Sequence, residues 1–124
     1  MSQDVIADAL NKMLNAAKAG KTTVSVNRHS NLLLSVLAIA KLKDYVKNYR
    51  VEKNVLNIEM SKLNFCKAIK PRFVVQVGEI EKYAKRYLPA KDLGVIIIST
   101  SQGLMTHTTA QEKNIGGSLI AYFY

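Results

Sequence analysis

With a single cysteine, Cys66, the chain can form no intrachain disulfide, which excludes the framework that small secreted domains rely on. A reduced compartment is the natural setting, and Cys66 is expected as a small buried apolar side chain. Acidic residues are scarce too: nine Asp and Glu stand against eighteen Lys and Arg, leaving a formal charge of +9 on 124 residues. That excess favours a polyanionic partner, because displacing condensed counterions from phosphates rewards clustered Lys and Arg. Long apolar runs are missing. The longest, Leu32 to Ala40, is broken by Ser35 and falls far short of the roughly 18 residues a membrane span needs. Met1-Ser2-Gln3-Asp4 opens no basic and apolar leader, so the expectation is no secretory signal, no membrane partner and a cytoplasmic location.

The usual marks of chemistry are equally thin. His29, His107 and Cys66 are scattered, whereas a zinc site draws about four ligands from clusters, so neither metal nor cofactor is expected. Neither Gly-x-x-x-x-Gly-Lys-Ser/Thr nor Gly-x-Gly-x-x-Gly occurs. A triad of Ser101, His107 and Glu112 can be drawn, but it lacks the Gly-x-Ser-x-Gly elbow, and no catalytic residue is assigned. Internal repeats, low-complexity segments and Gly/Ser-rich linkers are absent.

What is present is an apolar share of 48%, ample for one domain or two small modules sharing an interface. Ser2 can cap a helix whose stripe is Val5, Ile6, Ala9, Leu10, Met13, Leu14 and Ala17, with Asp4 and Asp8 toward its start and Gly20 at its stop. Asn11, Lys12, Asn15 and Lys18 form its polar face. Thr22 to Asn27 alternates as a half-buried strand, and Ser30 is a good N-cap for a helix running through Leu33, Val36, Leu37, Ala40 and on to Tyr45. Tyr49 to Ser61 reads as two strands about a Lys53-Asn54 turn, the second with Leu56, Ile58 and Met60 on one face. Pro71 forces Lys70 away from helix, which makes Lys70-Pro71-Arg72 the expected junction between modules 1–70 and 71–124. Phe73 to Val77 then reads as a strand, and Glu79 to Tyr87 as a short helix with Ile80, Tyr83, Ala84 and Tyr87 inward and Lys82, Lys85 and Arg86 outward. Tyr45, Tyr49, Phe73, Tyr83, Tyr87, Tyr122 and Phe123 are expected mostly in the core, with one or two free to stack on bases.

The stretch Leu93 to His107 organises the rest. The β-branched run Val95-Ile96-Ile97-Ile98 stops in Ser99-Thr100-Ser101-Gln102-Gly103, which reads as a buried strand delivering a polar turn to the surface. Such a turn presents hydroxyls and backbone N–H groups to an anion or a base edge. Thr106 is the expected N-cap of a helix from His107 to Asn114, its positive end beside the turn, with Met105 as a packing residue. Gly116-Gly117 closes that helix and opens a last strand, Ser118 to Tyr124.

Ser99-Thr100-Ser101-x-Gly103-Leu104-Met105-Thr106, with Ala110, Gly116-Gly117 and the end Leu119-Ile120-Ala121-Tyr122-Phe123-Tyr124, resembles the signature of the small-subunit ribosomal protein eight family. The likeness runs from Ile6 to the terminal aromatics. Pro71-Arg72-Phe73 and the aromatic end are more similar to its archaeal and eukaryotic branch. The resemblance implies an α/β (α+β) protein of two mixed modules packed together, α-β-α-β-β then β-α-β-β-α-β. It also implies a primary rRNA-binding role in the cytosolic small ribosomal subunit, supporting assembly and translation, with a stem in the central domain of small-subunit rRNA and neighbouring ribosomal proteins as partners. Its implied contact surface is Ser99, Thr100, Ser101, Gln102, Gly103, Met105, Thr106 and His107 with Gly116 and Gly117, while Arg28, Lys70, Arg72, Lys82 and Arg86 hold phosphates. Ser30-Asn31 stands where the family usually carries Ser-Lys, which removes a charge and leaves Arg28 as the phosphate contact there. Two other readings stay open from residue types alone. One is a small phosphate- or anion-handling enzyme using the Ser99–Gly103 turn with His107 as base; the other is a protein-interaction domain.

Overall fold

The computed structural model describes residues 5–70, 72, 74–90 and 93–124. The expected cap Ser2, Asp4, Pro71 at the junction and Phe73 lie outside them. The chain divides into two compact units, Met1–Lys67 and Ala68–Tyr124.

In the first unit, helix α1 (Val5–Lys18) buries Ile6, Ala9, Leu10, Met13 and Ala16. Leu14 and Ala17, expected in that stripe, are only half-buried, because the inward face is centred one residue earlier at its C-terminal end. The helix stops as the sequence suggests: Gly20 is left-handed at φ +80°, and Lys21 N–H reaches back to Ala16 O at 2.9 Å. Strand β1 (Thr23–Val26) leads to helix α2 (Asn31–Leu42), where Ser30 Oγ accepts from Leu33 N–H at 3.1 Å. Tyr45 does not belong to α2. Asp44 turns left-handed at φ 68°, Tyr45 N–H bonds to Ala40 O at 2.9 Å, and the chain leaves directly into strand β2 (Val46–Glu52), three residues earlier than expected.

Lys53 and Asn54, both at positive φ, close the hairpin from β2 to β3 (Val55–Met60), a geometry that matches the twist of paired strands. The antiparallel sheet runs β1-β3-β2, and β3 alternates with Leu56, Ile58 and Met60 buried. Buried Cys66 donates its thiol to Leu10 O at 3.3 Å, and burial pushes its pKa up to about 12.

Strand β4 (Cys66–Ala68) straddles the division between the units. The second unit then builds β5 (Val74–Val75), helix α3 (Ile80–Tyr87), β6 (Val95–Thr100), β7 (Gly103–Thr106), helix α4 (His107–Lys113) and β8 (Gly117–Phe123). The expected strand through Val77 is cut to two residues. Gln76 N–H bonds to Glu79 Oε1 at 3.0 Å, and Val77–Glu79 winds into a 3₁₀ turn that feeds α3.

The sheet order is β4-β8-β6-β7, with β5 also pairing with β8. Central β6 is buried from Val95 through Ile98, which explains a continuous apolar run instead of an alternating one. Ile96 and Ile98 share a core with Ile80 of α3, Ala110 of α4, Met105 and Leu119. α4 ends at Asn114, left-handed at φ 58°, and not at Gly116-Gly117 as expected. Of the aromatics expected in the core, Phe123 is fully buried, whereas Tyr45, Tyr49, Tyr83, Tyr87 and Tyr122 keep part of their surface. Among the described residues, no helix is long and apolar enough to cross a membrane.

Candidate nucleic-acid interface

At the far end of β6 the expected polar turn resolves into a tight hairpin. Thr100 pairs with Gly103, Ser99 with Leu104, and only Ser101 and Gln102 lie between the strands. The hairpin is stiffened by one hydroxyl: Thr100 Oγ1 donates to Gly103 O at 2.8 Å and accepts from Gln102 N–H at 3.1 Å. Gly103 sits at φ +107°, where an L side chain is strained, although a Cβ there would meet open space. Ser101, Gln102 and Gly103 are exposed and Ser99 half-exposed. Among the described residues neither Ser99 Oγ nor Ser101 Oγ has a hydrogen-bond partner. The hydroxyls at 99 and 101 are therefore available to a ligand, while Thr100 is committed to the turn.

Gly116 and Gly117 support this end and do not stop a helix. A Cβ on Gly117 would run into the Ser99 carbonyl oxygen and come within 2.9 Å of Ile98 Cγ2; one on Gly116 would strike the Val75 carbonyl oxygen. Register places Ser118 opposite Ser99 on β8 and Val74 opposite Ser118 on β5, so Val74, Ser118, Ser99 and Leu104 form one row across the sheet. Sequence reasoning misses Ser118. Its only signal is parity along β8, and parity becomes proximity only once the register is known.

Met105, Thr106 and His107, expected on the contact surface, are buried at 8%, 4% and 4% exposure, so their side chains are not presented beside the hairpin tip. Met105 faces the core on the Ile98 side. Thr106 caps α4 as expected, Oγ1 accepting from Thr109 N–H at 3.3 Å. The helix start does not lie beside the turn, however, since the four residues of β7 hold it roughly 10 Å from the tip. His107 Nδ1 accepts from Ile96 N–H at 3.1 Å, tying α4 to β6. A base committed to a backbone amide under the sheet is not presented to Ser101, and Glu112 is exposed, so the triad does not assemble.

The expected phosphate contacts divide between the units. In the first, exposed Arg28 lines a cleft of about 370 Å³ with Asp8, Asn11, Lys12, Asn15 and Asn27, so one carboxylate stands among its polar groups. Asn31 is exposed, but the Ser30 hydroxyl is already used as the α2 cap. In the second, Lys70 and Arg72 are exposed on the chain entering β5, and Lys82 and Arg86 on α3. Ion pairs among the described residues join Lys47 to Glu59, Arg50 to Glu52 and Lys85 to Glu81, at 3.6, 2.8 and 4.0 Å, all on exposed side chains and none at the hairpin. No group of three or more His, Cys, Asp or Glu side chains among the described residues could hold a metal ion.

A family model described as ribosomal protein S8 matches residues 4–124. The small ribosomal subunit protein uS8 of Nanoarchaeum equitans is 43% identical over an alignment of 129 residues that covers all of both chains. That of Picrophilus torridus is 36% identical over the same length and coverage.

Proposed function

Because the chain belongs to the ribosomal protein S8 family, we propose that ribosomal RNA anchors it in the small ribosomal subunit and that the β6–β7 hairpin is the part that reads the RNA. It is a structural constituent of that subunit and not an enzyme. On this reading the RNA is a stem in the central domain of small-subunit rRNA, neighbouring ribosomal proteins meet other faces, and the ribosome is the cytoplasmic one. The unit Ala68–Tyr124 is the RNA-recognising module.

One observation carries the reading: a rigid hairpin projects Ser101, Gln102 and Gly103 into solvent with the Ser99 and Ser101 hydroxyls unspent. A-form RNA shows its 2′-hydroxyls and base edges in a wide, shallow minor groove, which a narrow, small-residue tip can enter. Hydroxyls both donate and accept, so they suit the 2′-OH, which does the same. Arg28, Lys70, Arg72, Lys82 and Arg86 supply phosphate contacts that position the tip without specifying sequence. The chain's +9 charge makes such binding salt-dependent.

Binding of wild type and Ser101→Ala to a small-subunit rRNA transcript, against an unrelated duplex of equal length, tests it. Losing one directed hydrogen bond should weaken the transcript complex about tenfold and leave the unrelated duplex unchanged. Equal loss on both, or on neither, would contradict recognition through the hairpin.

A further inference from the structure

Four tyrosines form a continuous row on the second unit, at the opposite end of the sheet from the hairpin. Tyr83 and Tyr87, one turn apart on α3, have ring centroids 6.4 Å apart with planes 16° from parallel. Tyr87 meets Tyr122 of β8 at 5.0 Å, and Tyr122 and Tyr124 are 6.4 Å apart with planes at 19°. All four keep part of their surface exposed while their inner sides cover the core beneath. Tyr122 pairs with Ile96, five residues before Ser101, which separates the row from the hairpin tip by about 16 Å of strand.

Charged groups border this row: Lys82 and Arg86 on α3, and exposed Glu79 just ahead of it, whose Oε1 accepts from Gln76 N–H. On a helix of 3.6 residues per turn, Lys82 and Arg86 fall on the flank that borders Tyr83 and Tyr87. Glu81 and Lys85 lie on the other flank, paired at 4.0 Å, where they line the groove toward α4 with Ala84 and Leu88. Lys82 Nζ lies 5.9 Å from the Tyr83 ring centroid, and neither Lys82 nor Arg86 has an acidic partner among the described residues. Half-exposed rings in series, beside two cations that lack an acidic partner, match a ligand that is both planar and anionic. A duplex keeps its bases inside and cannot use the rings; a single strand offers base faces to the tyrosines and phosphates to the cations.

We infer that this row, Tyr83, Tyr87, Tyr122 and Tyr124 with Lys82 and Arg86, is a second RNA-binding surface that takes an unpaired RNA segment by stacking. Its stacking rings are separate from the stem-reading hairpin, while Lys82 and Arg86 serve the phosphates of either ligand. The probe is a twelve-nucleotide oligouridylate added to the full chain, read by quenching of tyrosine fluorescence, which no tryptophan obscures. The double variant Lys82→Gln, Arg86→Gln alters only exposed side chains, and Tyr87→Leu keeps apolar cover over the core.

Tyr87→Leu should weaken oligouridylate binding about tenfold while the rRNA transcript complex is unchanged, and the double cation variant, which removes phosphate contacts from either ligand, should weaken both. Ser101→Ala should do the reverse of Tyr87→Leu, so failure of the hairpin reading and failure of this one give different patterns. Retained oligouridylate affinity in both row variants would overturn the inference, as would equal loss with Ser101→Ala. So would no binding by the wild-type chain, or crosslinks from the row in intact subunits that reach a protein and no RNA.

Discussion

Gly117→Ala gives the sharpest test of how the hairpin end is held. Gly117 does not have a positive φ, so alanine there meets no dihedral penalty and its whole cost is steric. The added methyl would overlap the Ser99 carbonyl oxygen and approach Ile98 Cγ2 to 2.9 Å. Relief requires β8 to move away from β6, yet β6 is paired on both sides, with β7 and β8, from Ile97 to Ser99. Overpacking costs about 1–3 kcal/mol, and a collision with backbone in a central strand belongs at the upper end, about 3 kcal/mol. An unfolding entropy of about 2.1 cal/mol/K per residue comes to roughly 0.26 kcal/mol/K for this chain, so the midpoint should fall by about 12 °C.

Gly78→Ala is the control. Gly78 has ordinary φ, and a methyl added there would find nothing within 4 Å, so the same substitution should shift stability by less than about 0.5 kcal/mol. Thermal melts followed by far-UV circular dichroism compare the two variants. A Gly117→Ala midpoint within about 4 °C of the Gly78→Ala midpoint would refute the close approach and the account of Gly117 built on it. Because the displaced atom belongs to Ser99, rRNA transcript affinity should also drop at temperatures where Gly117→Ala remains folded.

Other expectations follow from single contacts. Thr106→Val keeps the shape but loses the α4 cap, and should cost about 1–2 kcal/mol in urea denaturation, with an alanine at exposed Thr108 near neutral. His107→Leu leaves the Ile96 N–H buried without its acceptor and should cost about 1–3 kcal/mol, whereas His107→Asn, which retains an acceptor, should recover part of it. The Cys66 thiol, raised from 9.0 to about 12 by burial, should react with iodoacetamide at pH 8 far more slowly in the native protein than in urea. Its linkage has a definite sign: the folded state holds the proton more tightly, so this contribution to stability is intact below about pH 9 and is lost as pH rises toward 12. Urea midpoints from about pH 8 to 10.5 should therefore fall more steeply for wild type than for Cys66→Ala.

Several features were legible because their chemistry is local. Ser30 and Thr106 are caps whose oxygens reach an N–H three residues on, and Lys53-Asn54 is a turn set by two left-handed residues. The run Val95 to Ile98 announced a strand buried on both faces, and the small residues after it announced the hairpin. The charge of +9 and the Ser99–Thr106 string pointed to the family that the full-length comparisons then established.

What stayed hidden depends on partners far away in sequence. Only the register of β8 against β6 puts Ser118 beside Ser99 and gives Gly116 and Gly117 their reason to be glycine. Met105 packs as its apolar type suggests, but His107 is polar like the exposed tip, and it is α4 folding back onto Ile96 that buries it. The tyrosines look like core from their spacing alone, and the meeting of α3 with β8 leaves them as a half-exposed row. Capping, turn type and periodicity are settled within a few residues, so the elements could be read from the chain alone. Which side chains face water and which meet was set by strand register and helix docking, where the free energy lies in contacts between distant segments.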